Sequence, residues 1–161
     1  MRQRTYVAVV GPGDATSHET RNAESVGRAL AERGAIVITG GLGGVMAAAA
    51  RGVAQAGGTT VGILPGSDRA DGDEALTIAI PTGLGELRNG LVVRAADVVI
   101  AIGGAYGTLS EIALALRTSV PVIALRSWDI DGVERVESPE DAVDRALAAA
   151  ASAAGPDRTG A

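Results

Sequence analysis

The feature that most constrains this chain is an alternation. Short apolar runs rich in Val and Ile stand at Tyr6–Val10, Ala35–Thr39, Thr60–Leu64, Asp97–Ile102 and Val120–Leu125, the pattern of strands buried on both faces of a parallel sheet. Between and after them lie stretches with helical spacing: Thr20–Arg33, Gly44–Ala56, Gly85–Arg94, Thr108–Arg117 and Pro139–Ala150. The last is announced by Ser138 as N-cap, Pro139 at the first helical position, and Glu140 and Asp141 in the first turn, where the helix dipole favours acids. Ala75–Ile80, ending at Pro81, adds a short strand. Such alternation predicts an α/β fold, a Rossmann-like doubly wound and mostly parallel sheet with helices on both faces. The length of 161 residues suits one domain. That domain is expected over residues 1–151, with 152–161 as a flexible tail, because Gly155, Pro156 and the closing Thr-Gly-Ala carry no apolar periodicity.

Composition removes several chemistries. All 14 basic residues are Arg, so no lysine is present to form a Schiff base with pyridoxal phosphate or to complete a Walker A loop. A PLP-dependent decarboxylase is excluded. With no Cys and the single His18, neither a thiol nucleophile nor a multi-histidine metal site is available, and no cofactor or metal is expected. The net charge of −5 and only three aromatics (Tyr6, Tyr106, Trp128) argue against a nucleic-acid partner. No apolar run reaches the roughly 18 residues of a membrane span, and Tyr6–Val10 is too short for a secretory signal, so the expectation is a cytoplasmic protein.

In an open α/β sheet the ligand sits beyond the carboxyl ends of the strands, where strand order reverses, and the loops that begin there hold the excess of a chain with 23 glycines in all. Gly11-Pro12-Gly13-Asp14 follows the first strand, Gly40-Gly41-Leu42-Gly43-Gly44-Val45-Met46 the second, and Gly103-Gly104-Ala105-Tyr106-Gly107-Thr108 the run ending at Ile102. A strand, glycines and then a helix start leave backbone N–H groups free at the positive end of the helix dipole, a cradle for phosphate. The same glycines also suit tight turns and close helix-on-sheet packing. The G-x-G-x-x-G dinucleotide fingerprint is not met, and no acid follows the second strand to take a ribose hydroxyl.

The two later loops resemble the G-G-x-x-G-[LV]-M and P-G-G-x-G-T-x-x-E elements of the LOG family, the so-called lysine decarboxylases, whose enzymes hydrolyse cytokinin riboside 5′-monophosphates to free base and ribose 5-phosphate. Arg88, nine residues before Asp97, and Glu111 match that family's Arg and final Glu. Gly103-Gly104-Ala105 stands where the family has Pro-Gly-Gly, and Asn89 replaces the basic residue after its Arg. With Thr82-Gly83-Leu84-Gly85 leading to Arg88, the chain comes closer to a branch similar to molybdenum-cofactor carrier proteins.

The resemblance implies Arg88 and Glu111 as catalytic candidates. It places the ligand on Gly11, Gly13, Gly40, Gly41, Gly43, Gly44, Met46, Asn89, Gly103, Gly104, Ala105, Tyr106, Gly107 and Thr108. A carboxylate near an anomeric carbon stabilises oxocarbenium character and orients water, and an arginine fork holds phosphate or ribose oxygens. Blander roles stand beside these: Glu111 as a first-turn acid, Arg88 as an ion-pair partner of Glu86 or Glu111, Met46 as core filler, Tyr106 as loop packing. His18 reads as a surface loop residue. Two functions follow. One is a binder of a nucleoside 5′-monophosphate that hydrolyses its N-glycosidic bond; the alternative is a carrier or sensor of a phosphorylated pterin such as molybdenum cofactor, without turnover. The smooth Ala-rich helix at Gly44–Ala56 and the apolar one at Thr108–Arg117, with the resemblance, imply a homodimer or larger homo-oligomer.

Overall fold

The computed structural model describes residues 4–153. Seven strands, β1 (Tyr6–Val10), β2 (Ile36–Thr39), β3 (Thr59–Leu64), β4 (Ile78–Pro81), β5 (Val98–Ile102), β6 (Val122–Leu125) and β7 (Glu134–Val136), form one sheet. Five helices accompany them: α1 (Ser17–Glu32), α2 (Val45–Gln55), α3 (Asn89–Arg94), α4 (Tyr106–Arg117) and α5 (Pro139–Ala153). All strand pairs are parallel, in the order β4-β3-β2-β1-β5-β6-β7. The chain builds outward from β1 to one edge, then crosses back to lay β5 on the other side of β1. The reversal therefore lies between β1 and β5, which brings the first and third glycine loops side by side.

Alternation along the strands splits the core into two layers. Val7 and Val9 of β1 and Val98, Ile100 and Ile102 of β5 face α1, α2 and α5. Ala8, Val10, Val99 and Ala101 face α3 and α4 through Val92, Val93, Ile112 and Ala115. β5 is buried along its whole length, as a run of five apolar residues predicts.

The alanines of α2 have a different use from the one expected. Ala47, Ala48, Ala49 and Ala50 are buried within the chain, and α1 packs on α2 so closely that a Cβ at Gly52 would run into the Glu24 carbonyl. This smooth face is consumed by a neighbouring helix and is not a free surface for a second subunit.

Other differences are local. Ser152 and Ala153 continue α5 past the expected boundary at 151, and 154–161 lie outside the described residues. The stretch Gly85–Arg94 is not one helix: Gly85–Arg88 is a 3₁₀ turn that passes into α3. α1 starts at Ser17, three residues early, because Thr16 and Glu19 form a capping box in which the Glu19 carboxylate accepts from the Thr16 amide at 2.7 Å. Among the described residues no helix is long and apolar enough to cross a membrane.

Candidate functional site

Helix N-termini differ in what they leave open, and this decides where an anion can sit. At α1 the Thr16 hydroxyl accepts from the Glu19 amide at 3.2 Å while the Glu19 carboxylate occupies the same end, so that terminus already holds a negative group. At α5 the Ser138 hydroxyl accepts from the Asp141 amide at 3.1 Å. α2 and α4 have no such partner: their caps, Gly44 and Ala105, supply no side-chain hydrogen bond. The first-turn amides of α4, at Tyr106, Gly107 and Thr108, therefore keep their donors for a ligand or water.

A cleft of about 830 Å³ opens beside these two termini, and it is walled by the first glycine loop, the α2 start, the 3₁₀ turn and the first two turns of α4. Gly11, Gly13, Met46, Arg88, Asn89, Ala105, Tyr106, Gly107, Thr108 and Glu111, all anticipated from sequence, line it. Gly40, Gly41, Gly43, Gly44, Gly103 and Gly104 do not; Gly40, Gly41 and Gly103 are buried, whereas Gly43 and Gly104 are exposed outside it. A Cβ at Gly44 would run into the Pro12 carbonyl, whose oxygen accepts from the Val45 amide at 3.0 Å, so Gly44 lets the β1 loop cross the α2 start. Gly103 has φ of 68° and lies against the Glu19 carboxylate. Gly107 has nothing within 4 Å of where its Cβ would be and faces open cleft.

Among the described residues Arg88 is the only basic one lining the cleft, and only 7% of it is exposed. Its Nη2 donates to the Gly40 carbonyl at 3.3 Å and its Nη1 to the Asn89 side chain. A Cβ at Gly40 would come within 2.7 Å of both that Nη2 and Met46 Sδ, so the missing side chain is what makes room for the guanidinium. Asn89 Nδ2 donates in turn to Ser110 Oγ at 3.2 Å, and Ser110 donates to the Gly107 carbonyl at 2.7 Å. A continuous polar strap thus ties the arginine to the first turn of α4. Two buried polar atoms of the site have no protein partner, Arg88 Nε and Thr108 Oγ1; orphaned buried donors of this kind call for a ligand or an ordered water.

Glu111 is likewise 7% exposed. Burial pushes its carboxyl up to about 7, and the Arg88 charge only partly opposes that. Arg88 is shifted down from its usual value by burial, with Glu111 and Glu86 working against the shift. Near neutral pH the pair is a fixed cation beside a carboxyl that is half protonated, able to accept or give a proton.

Leu42, Pro65, Leu87, Ser110 and Leu114 also line the cleft and were not picked out from sequence. Ser110 had a readable signal, lying three residues after Gly107 on the same helical face; the leucines and Pro65 had none. Tyr106 and Leu87 stand 85% and 80% exposed at the rim, so Tyr106 is not packed into its loop. Trp128 is: its Nε1 donates to the Ala105 carbonyl at 3.3 Å and steadies the α4 cap. Among the described residues no group of three His, Asp or Glu side chains could hold a metal ion.

The sequence pattern of one family, SLOG cluster4, matches residues 4–153. This chain belongs to the SLOG cluster4 family. An uncharacterized protein of Archaeoglobus fulgidus is 42% identical over 138 residues, spanning 85% of this chain and 91% of its own. Among solved structures, the molybdenum cofactor binding protein of Rippkaea orientalis superposes with a TM-score of 0.86 at 37% identity, covering 92% of this chain and 98% of that one. The molybdenum cofactor carrier protein of Chlamydomonas reinhardtii gives 0.84 at 33% identity, covering 93% and 99%. The SLOG cluster4 chain is thus similar, nearly end to end, to proteins whose described role is binding or carrying.

Proposed function

We propose that this protein binds a phosphorylated pterin, molybdenum cofactor above all, and acts as its carrier or sensor. The observation that carries the reading is the cleft itself: an uncapped α4 terminus for the phosphate, an orphaned Thr108 hydroxyl beside it, and a wall of Met46, Leu42, Leu87, Leu114 and Tyr106 for a flat heterocycle. Likeness over almost the whole chain to a molybdenum cofactor binding protein supports the same ligand class. Arg88 and Glu111 hold and orient the cargo in this reading.

The second reading, hydrolysis of a nucleoside 5′-monophosphate, draws support from Glu111, whose carboxyl near 7 suits proton transfer at an anomeric carbon. Incubation with molybdenum cofactor, gel filtration, and measurement of co-eluting pterin and molybdenum test the carrier reading. Parallel incubation with AMP and cytokinin riboside 5′-monophosphates, followed by chromatography for free base, tests the hydrolase. Stoichiometric pterin with no base released is expected; base release above background overturns the carrier reading.

We propose in addition a homo-oligomer through the face that carries Leu84, Leu87, Leu91 and Leu114. All four are exposed and belong to the 3₁₀ turn, its approach and the neighbouring helices α3 and α4. Such a contact would close the mouth of the cleft. Light scattering behind a sizing column should give at least twice 16.0 kDa; a monomer at micromolar concentration refutes it.

A further inference from the structure

We infer that Trp128, which lies outside the cleft, is a positioning residue for the anion site: its indole N–H fixes the peptide that offers the first amide of α4. The inference rests on the phosphorylated-ligand reading above and names a residue on which that site depends. Trp128 is not among the residues that wall the cleft; it is half-buried and packs, with Ile130 and Val133, against the α3 and α4 layer of the core. It reaches the site from behind. The Leu125 carbonyl at the end of β6 accepts from the Gly103 amide at 3.4 Å. Arg126 then turns the chain with φ of 51°, a left-handed value that a non-glycine residue holds only where its surroundings fix it. Two residues later the indole lies on Gly104, where a Cβ would stand 3.2 Å from Nε1, and Nε1 donates to the Ala105 carbonyl at 3.3 Å.

That carbonyl and the Tyr106 amide belong to one peptide. In a trans peptide, as all are among the described residues, the C=O and N–H point to opposite sides of a rigid plane, so whatever holds the oxygen aims the hydrogen. The Ala105 oxygen has two lone pairs and two partners: the Leu109 amide at 2.9 Å, which closes the first turn of α4, and the indole. Ala105 supplies no side-chain cap, and Gly104 before it has no Cβ to limit the backbone. Local sequence therefore leaves this plane free to rock, and the indole is its tertiary restraint. A phosphate accepting from the Tyr106 N–H would polarise the peptide, make the Ala105 oxygen a better acceptor and tighten the indole bond, as linked hydrogen bonds do. Trp128 and the phosphate thus support each other across one peptide without touching.

Trp128 is the only tryptophan, so the isotope-labelled full chain shows a single indole N–H resonance. Titration with inorganic phosphate should move that resonance downfield together with the Tyr106 amide, both saturating at one concentration. Trp128→Phe keeps an aromatic ring and removes the donor. It should bind phosphate about fivefold more weakly, measured well below its melting temperature so that a general loss of stability does not enter. Gly104→Ala, whose methyl would press on the indole, should weaken binding to a similar extent and add nothing to Trp128→Phe, because the two act through one contact. Wild-type affinity in Trp128→Phe, losses that add, or an indole resonance that stays still while the Tyr106 amide saturates overturns the positioning role and leaves the phosphate site in place. If Trp128→Phe fails to fold, Gly104→Ala and the indole resonance decide by the same outcomes. Should wild type bind neither inorganic phosphate nor ribose 5-phosphate, the phosphate reading itself falls, and this inference with it.

Discussion

Replacing Glu111 by Gln isolates the most unusual electrostatic feature of the protein. The carboxyl has an ordinary value of 4.5 and stands at about 7 in the fold because burial disfavours its charge. Between those two values the folded chain binds more protons than the unfolded chain, so stability falls as pH rises. The sign is fixed by the direction of the shift: the contribution is fully present below about 4.5 and is lost as pH passes through about 7. A displacement of this size corresponds to about 3 kcal/mol across the window. Urea unfolding of wild type and Glu111→Gln at a series of pH values from 4.5 to 8 measures it, because the other acids cancel in the difference. Wild type should lose stability relative to the variant by a few kcal/mol over that range, falling steadily from about 4.5 and levelling off above about 7. Parallel curves would refute the reasoning, since they would mean that the Glu111 carboxylate is solvated or fully compensated by Arg88.

Three further outcomes follow from the same geometry. Thr16→Ala should cost about 1 kcal/mol by removing the α1 cap, yet leave the affinity for a phosphorylated ligand unchanged in calorimetry, because Glu19 already fills that terminus. Gly107→Ala should hold or raise thermal stability, by up to about 1 kcal/mol, since glycine is a poor helical residue and no neighbour obstructs a methyl; Gly107→Val should cut ligand affinity at least tenfold by closing the approach to the amides. Ser110→Ala breaks the strap from Asn89 to Gly107 and should weaken ligand binding several-fold with little change in melting temperature, read by calorimetry alongside a thermal melt.

Much of the fold was legible because buried parallel strands are written as continuous apolar runs, and β1 and β5 stand where the Tyr6–Val10 and Asp97–Ile102 runs put them. β7 was not legible. It is three residues long, begins Glu134-Arg135 on the exposed edge of the sheet, and so has neither an apolar run nor two buried faces to record. The start of α4 was read two residues late for a related reason: helices announce themselves by their caps, and Ala105 is no cap. That silence is also what leaves its amides open. α1 gave the opposite case, a Thr16-x-x-Glu19 box present in the sequence and overlooked in favour of apolar spacing.

At the site, glycine counts pointed to the right loops but not to the division of labour within them. Gly13 and Gly107 face the cleft, whereas Gly40 and Gly44 make room for Arg88 and for a crossing loop. Only the packing of distant segments distinguishes the two uses. The alanines of α2 misled in the same way, since nothing local says that α1 will cover them.

The central claim is that the amides at the start of α4 receive the phosphate of the ligand. Titrating isotope-labelled protein with a pterin phosphate monoester, and following the amide resonances, tests it most directly. The Tyr106, Gly107 and Thr108 amides should show the largest shifts and saturate together with the ligand. Saturable binding that moves other residues and leaves these three amides in place would contradict the account.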